Sequence, residues 1–272
     1  MRTIFLLPLL VLFVYSASAQ PKQALKKITE LKMPRTQDDD MPGTRGASVA
    51  WHPVLKKYYA VFAGNSGYPL AVFDDKFKRL STDMLDAMID TRGLWYDPAK
   101  KQICGNAYSE FGWFSYTLDK AGIPTDYVTL LEGQNQPGAQ SVGALNTLDK
   151  QVIFLQAGQL YKYDLQGTLL DSIPIHWSRT KADGPADDED PELQNEDYNY
   201  TTAVYTGVKG QEVGLLNITN KQVELYDIKT GYLVKILTLP ETTVTEASFN
   251  FAYANGIYWL FNIEDRKWVG YK

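Results

Sequence analysis

The chain is poor in the two residue types that most often form covalent crosslinks or bind transition metals. Its 272 residues include one cysteine, Cys104, and two histidines, His52 and His176. A single cysteine excludes an internal disulfide, and so few scattered cysteine and histidine residues do not have the spacing of a zinc site. We therefore expect a fold that is held together by its hydrophobic core alone.

The chain also lacks a hydrophobic run long enough to cross a membrane. The longest apolar stretch, residues 4–14, is shorter than the ~20 residues that a transmembrane helix needs. It follows a basic residue and precedes Ala17-Ser18-Ala19, which is a typical signal-peptidase site. We therefore predict a signal peptide over residues 1–19 and a secreted or periplasmic product, without membrane insertion, that begins at Gln20.

Strong charge of one sign is missing except at one place. The formal net charge is −5, and eight of the acidic residues lie between Asp183 and Asp197, a segment with no basic residue. The remaining sequence is close to neutral, so nothing in it indicates a nucleic-acid partner. We expect a monomer.

A repeat runs through the mature chain. Short apolar runs end in an aspartate just before a turn, and Asp74, Asp119 and Asp164 follow one another at intervals of 45 residues. Asp227 comes 63 residues after Asp164, and a further 45 residues lead to Lys272. A period in the forties that is carried by strand-like runs is typical of a β-propeller with one four-stranded blade per repeat.

The strand-like runs predict an all-β, five-bladed β-propeller over residues 20–272. Four blades show four runs each, bounded by Gly, Pro, Asn or Asp, whereas the last blade has only three before Lys272. Ala24–Met33 is a strand-length segment with no blade of its own, so we expect it to pair outside the last strand and close the ring in a 3+1 arrangement. A β-sandwich also needs many short strands, but it does not explain the regular register.

The segment YDIKTGYLVKILTLP, residues 226–240, resembles the blades of the WD40 and YVTN-type propeller superfamily. The chain lacks the Gly-His and Trp-Asp pairs of WD40 repeats, and it resembles no specific family within that superfamily. The resemblance implies ligand sites among the loops that enter the inner strands, around the mouth of the central channel.

Two of these loops end in the same tripeptide. Thr44-Arg45-Gly46 and Thr91-Arg92-Gly93 each precede an inner strand, and the matching positions in the other blades lie near Gln140, Tyr200 and Glu246. Planar guanidinium groups suit a carboxylate or phosphate, so these residues predict an anion-binding mouth. The alternative is that Glu246 or a neighbouring aspartate neutralises both arginines in a structural clamp. Trp177, like Tyr200, is a further candidate as an aromatic surface for a sugar.

The 63-residue interval contains an acidic insertion, residues 178–200. Its clustered carboxylates, Asp187, Asp188 and Asp190, are candidate ligands for Ca²⁺, the only cofactor that the sequence suggests. A solvated loop explains the same composition, since such a segment has little apolar surface to bury.

These patterns favour an exported binding module for a carbohydrate, a small anionic ligand or another protein, rather than an enzyme. The alternative is a glycan-processing hydrolase or lyase that uses carboxylates at the channel mouth. The candidates for that role are Asp90, Glu110, Glu132, Glu246 and the cluster Asp38-Asp39-Asp40, which is also placed to contribute to the calcium site.

Overall fold

A computed structural model describes residues 22–34, 45–64, 70–82, 87–184 and 196–272. Among these residues the secondary structure is almost wholly β, with a single 3-10 turn at Ser109–Phe111, and no helix is long and apolar enough to cross a membrane. The strands are β1 (Lys22–Ala24), β2 (Lys27–Lys32), β3 (Arg45–His52), β4 (Lys57–Ala63), β5 (Leu70–Asp74), β6 (Thr91–Asp97), β7 (Gln102–Ala107), β8 (Trp113–Leu118), β9 (Pro124–Leu131), β10 (Ala144–Asn146), β11 (Gln151–Gln156), β12 (Gln159–Asp164), β13 (Leu169–Pro174), β14 (Tyr198–Tyr205), β15 (Val213–Asn217), β16 (Gln222–Tyr226), β17 (Leu233–Thr238), β18 (Phe251–Ala254), β19 (Ile257–Asn262) and β20 (Lys267–Tyr271).

The strands form five separate sheets, which confirms the five-bladed propeller. Blades one to five begin with the inner strands β3, β6, β10, β14 and β18, and each continues outwards through antiparallel neighbours. Five clusters of buried apolar side chains lie between the described strands, and each cluster joins two adjacent blades. Because one of them joins blade five to blade one, the sheets close into a ring.

The N-terminal segment closes this ring as predicted. β2 pairs antiparallel with β20, so the last blade has three strands from the C-terminus and one from the N-terminus. Leu31 of β2 is fully buried against Trp259 and Trp268 in the cluster between blades five and one. Closure of this kind removes the open edge that a three-stranded last blade would leave.

Two details differ from the expected arrangement. β1 pairs parallel with β17, so the N-terminal segment adds a fifth strand to blade four before it enters blade five. Blade one has only three strands among the described residues, and its expected fourth strand is reduced to a single bridge between Phe73 and Arg79. Phe77 has φ of 65° and belongs to the turn after Asp74, at the place that the left-handed Gly122 and Gly167 occupy in blades two and three.

The aspartates that mark the repeat are turn residues. The Asp74 side chain accepts hydrogen bonds from the backbone amides of Lys76 and Lys78, and Asp164 and Asp227 accept equivalent bonds in their own hairpins. A side-chain acceptor placed two residues before a backbone donor stabilises a tight turn. The repeated aspartate therefore has a local role in folding.

The ring has two different ends. We call the end at which the chain enters each inner strand the entry end, and the end at which each inner strand turns back into the second strand the hairpin end. Contacts between blades connect the hairpins at their end: His52 Nε2 lies 3.3 Å from the Lys101 carbonyl, and Asn255 donates to the Tyr58 hydroxyl at 2.8 Å.

Candidate functional site

At the entry end, Arg92 is buried, and each of its three guanidinium nitrogens donates a hydrogen bond. Its guanidinium binds both oxygens of Asp90, at 2.5 and 3.1 Å, and its Nε donates to Gln140 at 2.7 Å. The side chain of Arg92 is only 4% exposed, and its guanidinium also lies 4.8 Å from the Tyr108 ring centre. This arrangement has the geometry of a structural clamp with an aspartate in the place of a bound anion.

Arg45 has a different environment at the corresponding position of blade one. It is partly exposed, and its guanidinium donates to the Ser248 hydroxyl. The next residue, Phe249, lies under Arg92 with its ring centre 5.6 Å from the guanidinium carbon. The two arginines therefore contact neighbouring residues of blade five, but only Arg92 has a carboxylate partner among the described residues.

The contact between Arg92 and Phe249 spans the channel. These residues belong to blades two and five, which are not neighbours in a ring of five, so their side chains meet across the axis. Around them, neighbouring blades are also linked where the chain enters the inner strands. Val142 and Thr202 form a parallel bridge, and the backbone amide of Asn250 donates to the carbonyl of Gly46. Phe249 is 8% exposed and Val142 3% exposed, so the described residues close the channel at the entry end.

The other predicted residues of this end lie around the closed mouth. Tyr200 is exposed, and its backbone amide donates to Ala247; Glu246 is half-buried, and its carbonyl accepts from Asn199. Gln140 is exposed and holds Arg92. Trp177 is half-buried with its ring centre 4.4 Å from that of Tyr198, so it packs beside the core between blades three and four.

A buried carboxylate lies next to Trp177. Glu224 is 1% exposed and accepts hydrogen bonds from the hydroxyls of Tyr198 and Tyr226, both at 2.6 Å, and from the side-chain amide of Asn217 at 3.1 Å. The Ser178 hydroxyl lies 2.6 Å from the Tyr198 hydroxyl. Ser178 and Tyr198 lie at the two ends of the acidic insertion, so the hydrogen bonds around Glu224 connect these ends.

Several predicted residues fall on segments that the structure does not describe. These are the calcium candidates Asp187, Asp188 and Asp190 and the Asp38–Asp40 cluster. Within the described ranges, no group of three or more acidic, histidine or cysteine side chains has a metal-binding arrangement. The calcium site therefore stays a prediction.

The inner strands surround a cavity of about 270 Å³ along the channel. Consecutive residues of all five inner strands line this cavity, for example Ser48–Trp51 of β3 and Phe251–Ala254 of β18. The unpaired edges of these strands therefore face the cavity. Its lining also includes exposed residues of the hairpins, Pro53, Thr147 and Asn255. The cavity thus opens at the hairpin end, opposite to the closed entry end.

Aromatic side chains surround this opening. Trp51, Tyr96 and Tyr253 occupy the penultimate position of their inner strands, Tyr205 is the last residue of its own, and each is half-buried. Burial raises the pKa of Tyr253, and burial together with the nearby Glu212 charge raises the pKa of Tyr205, so both phenols are neutral at physiological pH. No side chain that lines the cavity carries a charge.

This opening was not predicted, although the sequence carries a signal for it. An aromatic residue stands directly before the hairpin in WHP, YDP, YTG and YANG, at the end of four inner strands. The recurrence follows the same repeat that revealed the blades.

The carboxylates proposed for glycan hydrolysis are arranged differently from a catalytic pair. Asp90 is held by Arg92, whereas Glu110 and Glu132 are exposed at the surface. Glu246 is the remaining candidate and is half-buried beside the closed mouth.

The chain matches no protein-family model and no curated protein. Among solved structures, it is similar to a glutaminyl cyclase from Myxococcus xanthus, with a TM-score of 0.54, 10% identity and coverage of 93% of this chain and 98% of that one. It is also similar to a chain of a nidogen/laminin complex, with a TM-score of 0.40, 10% identity and coverage of 71% and 63%. The likeness to the cyclase supports the propeller fold and, at this identity, shows the fold alone.

Proposed function

We propose that this protein is an exported ligand-binding β-propeller that holds an uncharged group in its central channel, through the opening at the hairpin end. The observation that carries the proposal is the cavity itself, which is open at one end, closed at the other and free of charged side chains. General acid–base catalysis needs a titratable group near its operating pH, and the neutral phenols of this wall do not supply one. Binding is therefore the function that the cavity supports best.

The size and lining of the cavity favour a small neutral carbohydrate or the end of a larger one. Its volume of about 270 Å³ lies at the lower end of the range for ligand sites, about 300–1,000 Å³. The aromatic rings offer flat surfaces for the apolar face of a sugar, and the unpaired strand edges offer backbone donors and acceptors for its hydroxyls. The lining has no positively charged side chain to bind a small anion.

The entry end is the second candidate site. Arg45, Gln140, Tyr200 and Glu246 remain at least partly accessible around the closed mouth, and they suit an anionic ligand or a protein partner there. Arg92 contributes to this site by positioning Gln140, because its own nitrogens already bind Asp90 and Gln140.

A pair of matched substitutions distinguishes binding at the hairpin end from binding at the entry end. Neutral mono- and disaccharides are titrated against the mature chain by calorimetry, and then against Tyr253→Ala at the hairpin end and Tyr200→Ala at the entry end. We expect Tyr253→Ala to weaken binding at least about tenfold, which is typical for loss of a stacking ring, and Tyr200→Ala to leave it unchanged. The reverse result moves the site to the entry end, and absence of binding by every sugar overturns the carbohydrate assignment.

The enzymatic alternatives are tested on the same samples. The mature chain is incubated with oligosaccharides and with a peptide that begins with glutamine, and the products are followed by mass spectrometry. Turnover of either substrate that is lost in Glu246→Gln would replace the binding proposal with a catalytic one.

A further inference from the structure

The tips of the hairpins at the hairpin end expose aliphatic side chains. Val54, Leu148 and Val208 stand at the tips of three of the five hairpins, and they are 66%, 67% and 48% exposed. A single exposed aliphatic residue on a surface is ordinary, but here the exposure recurs at equivalent places around one opening. The recurrence points to a contact surface rather than to accidental exposure.

Lysines accompany these tips. Lys56, Lys150 and Lys209 lie in the same three hairpins, and Lys100 and Lys101 lie in the hairpin of blade two. All five are exposed, and none of them forms an ion pair with another residue of the described ranges.

Three acidic residues belong to the hairpins of the inner strands, and each accepts hydrogen bonds there. Asp97 is buried and accepts from the backbone amides of Ala99 and Lys100. Glu212 is buried and accepts from the backbone amides of Gly210 and Ile228, and Asp149 accepts from the side chain of Asn146. The hairpins of the inner strands therefore carry more lysines than acids.

The turns that join the third and fourth strands lie at the same end, and their charges nearly balance: Asp74, Asp75, Asp119, Asp164 and Asp227 against Lys76, Lys78, Lys120 and Lys229. The excess of positive charge at this end is thus concentrated around the channel opening.

We propose that this hairpin end docks on an anionic lipid surface. Aliphatic tips on convex hairpins can enter the headgroup region, lysines placed beside them can contact lipid phosphates, and the amphipathic rings of Trp51, Tyr96, Tyr205 and Tyr253 suit the interface between apolar and aqueous layers. A soluble polyanion would use the lysines but would leave the aliphatic tips without a role. A protein partner requires complementary pockets for tips that project from separate blades, whereas a fluid lipid surface does not.

Docking in this orientation is consistent with the distribution of charge along the axis of the ring. The acidic insertion begins and ends at the entry end, where Ser178 and Tyr198 are joined through the Glu224 network. A negatively charged membrane attracts the lysines of the hairpin end and repels these acids, which favours one orientation. The open channel then faces the lipid headgroups. This inference stands on the hairpins and does not require that the channel bind a sugar.

Co-sedimentation of the mature chain with vesicles tests the proposal. We expect binding to vesicles of phosphatidylglycerol and phosphatidylcholine, little binding to phosphatidylcholine alone, and a loss of binding as salt is raised. The triple variant Val54→Ser/Leu148→Ser/Val208→Ser and the triple variant Lys100→Gln/Lys101→Gln/Lys150→Gln are each expected to reduce partitioning by about tenfold or more.

The matched control removes three aliphatic side chains of similar exposure elsewhere. Val128, Leu169 and Leu170 lie on the outer strands β9 and β13 and are 50–54% exposed, and their triple serine variant should bind vesicles like the parent chain. Equal losses in both serine variants, or no vesicle binding by the parent, overturn the proposal. Heparin is tested in parallel: binding to heparin that depends on the lysines but not on the tips, without vesicle binding, assigns the face to a polyanion instead. Sugar binding is measured in the absence of vesicles, so the two proposals fail separately.

Discussion

At the scale of the residue, the arginines of the two Thr-Arg-Gly tripeptides have different partners and different exposure. Arg92 is buried, binds Asp90 through two bonds and crosses the channel to Phe249, whereas Arg45 is partly exposed and donates to one serine. The difference comes from the neighbours, since an aspartate stands two residues before Arg92, and Gly43 stands at the matching place before Arg45. The same side chain is therefore structural in one blade and accessible in the next.

This difference predicts unequal costs for the same substitution. Arg92→Met leaves Asp90 and Gln140 without their partner inside a closed layer, and we expect it to lower the free energy of unfolding by about 3 kcal/mol. Arg45→Met loses one partly exposed hydrogen bond and should cost less than about 1 kcal/mol. Urea denaturation followed by tryptophan fluorescence measures both values. Similar losses in the two variants would show that the clamp adds nothing beyond an ordinary surface bond.

At the scale of the element, the N-terminal segment joins two blades. β2 completes blade five, and β1 extends blade four, with Leu25 between them buried in the cluster that those two blades share. The segment 22–32 thus crosses the interface at which the chain termini meet. These contacts resist separation of blades four and five.

The two faces of β2 allow this closure to be tested within one strand. Leu31 is fully buried between blades five and one, and Leu31→Ala should lower the free energy of unfolding by about 2–5 kcal/mol, since it leaves a cavity beside two tryptophans. Ile28 is 48% exposed, and Ile28→Ala should change the stability by less than about 0.5 kcal/mol. Thermal and urea unfolding provide the comparison. If Leu31→Ala unfolds like the parent, β2 is not needed to close the ring.

The elements that the sequence predicts well are those that carry a period. The repeated aspartate marks the third strand and its hairpin in four blades, because the turn needs that side chain each time. β1 carries no such mark: its residues Lys-Gln-Ala are exposed on both faces, and parallel pairing with a strand over 200 residues away leaves no local pattern. The shortened fourth strand of blade one carries no mark either, because the turn that precedes it, at Asp74, is built like the turns of the complete blades.

At the scale of the whole molecule, the ring is closed at one end and open at the other. The recurrence of arginine directed the prediction of a site to the entry end, and the orientation of the loops was correctly anticipated. What closes that end is Phe249, which meets Arg92 from a blade on the other side of the axis. Such a contact depends on the curvature of the complete ring, so no segment of the sequence indicates it. The aromatic residues around the opposite opening recur in four blades. The sequence therefore shows them, but only the structure indicates that they surround the open end of the ring.

The abundance of buried tyrosine gives the whole molecule a predictable response to alkali. Burial is the main cause that raises the pKa of nine tyrosines above the usual value. Six of them are buried in the core: Tyr58, Tyr59, Tyr116, Tyr198, Tyr226 and Tyr258. Their contribution to stability is constant below the unfolded pKa of about 10 and is lost as the pH rises above it, because the unfolded chain then releases protons that the folded chain retains. Each such group costs about 1.4 kcal/mol per pH unit above that value.

We therefore expect the fold to be lost in a single steep transition above about pH 10, with the buried phenols ionising as it unfolds. Ultraviolet absorbance of tyrosinate and circular dichroism are recorded on the same samples as the pH is raised. Any phenols that ionise before this transition should do so without a change in circular dichroism. Smooth ionisation of all 18 tyrosines with the β-sheet signal intact would mean that the phenols between the blades are not shielded from water as the structure shows.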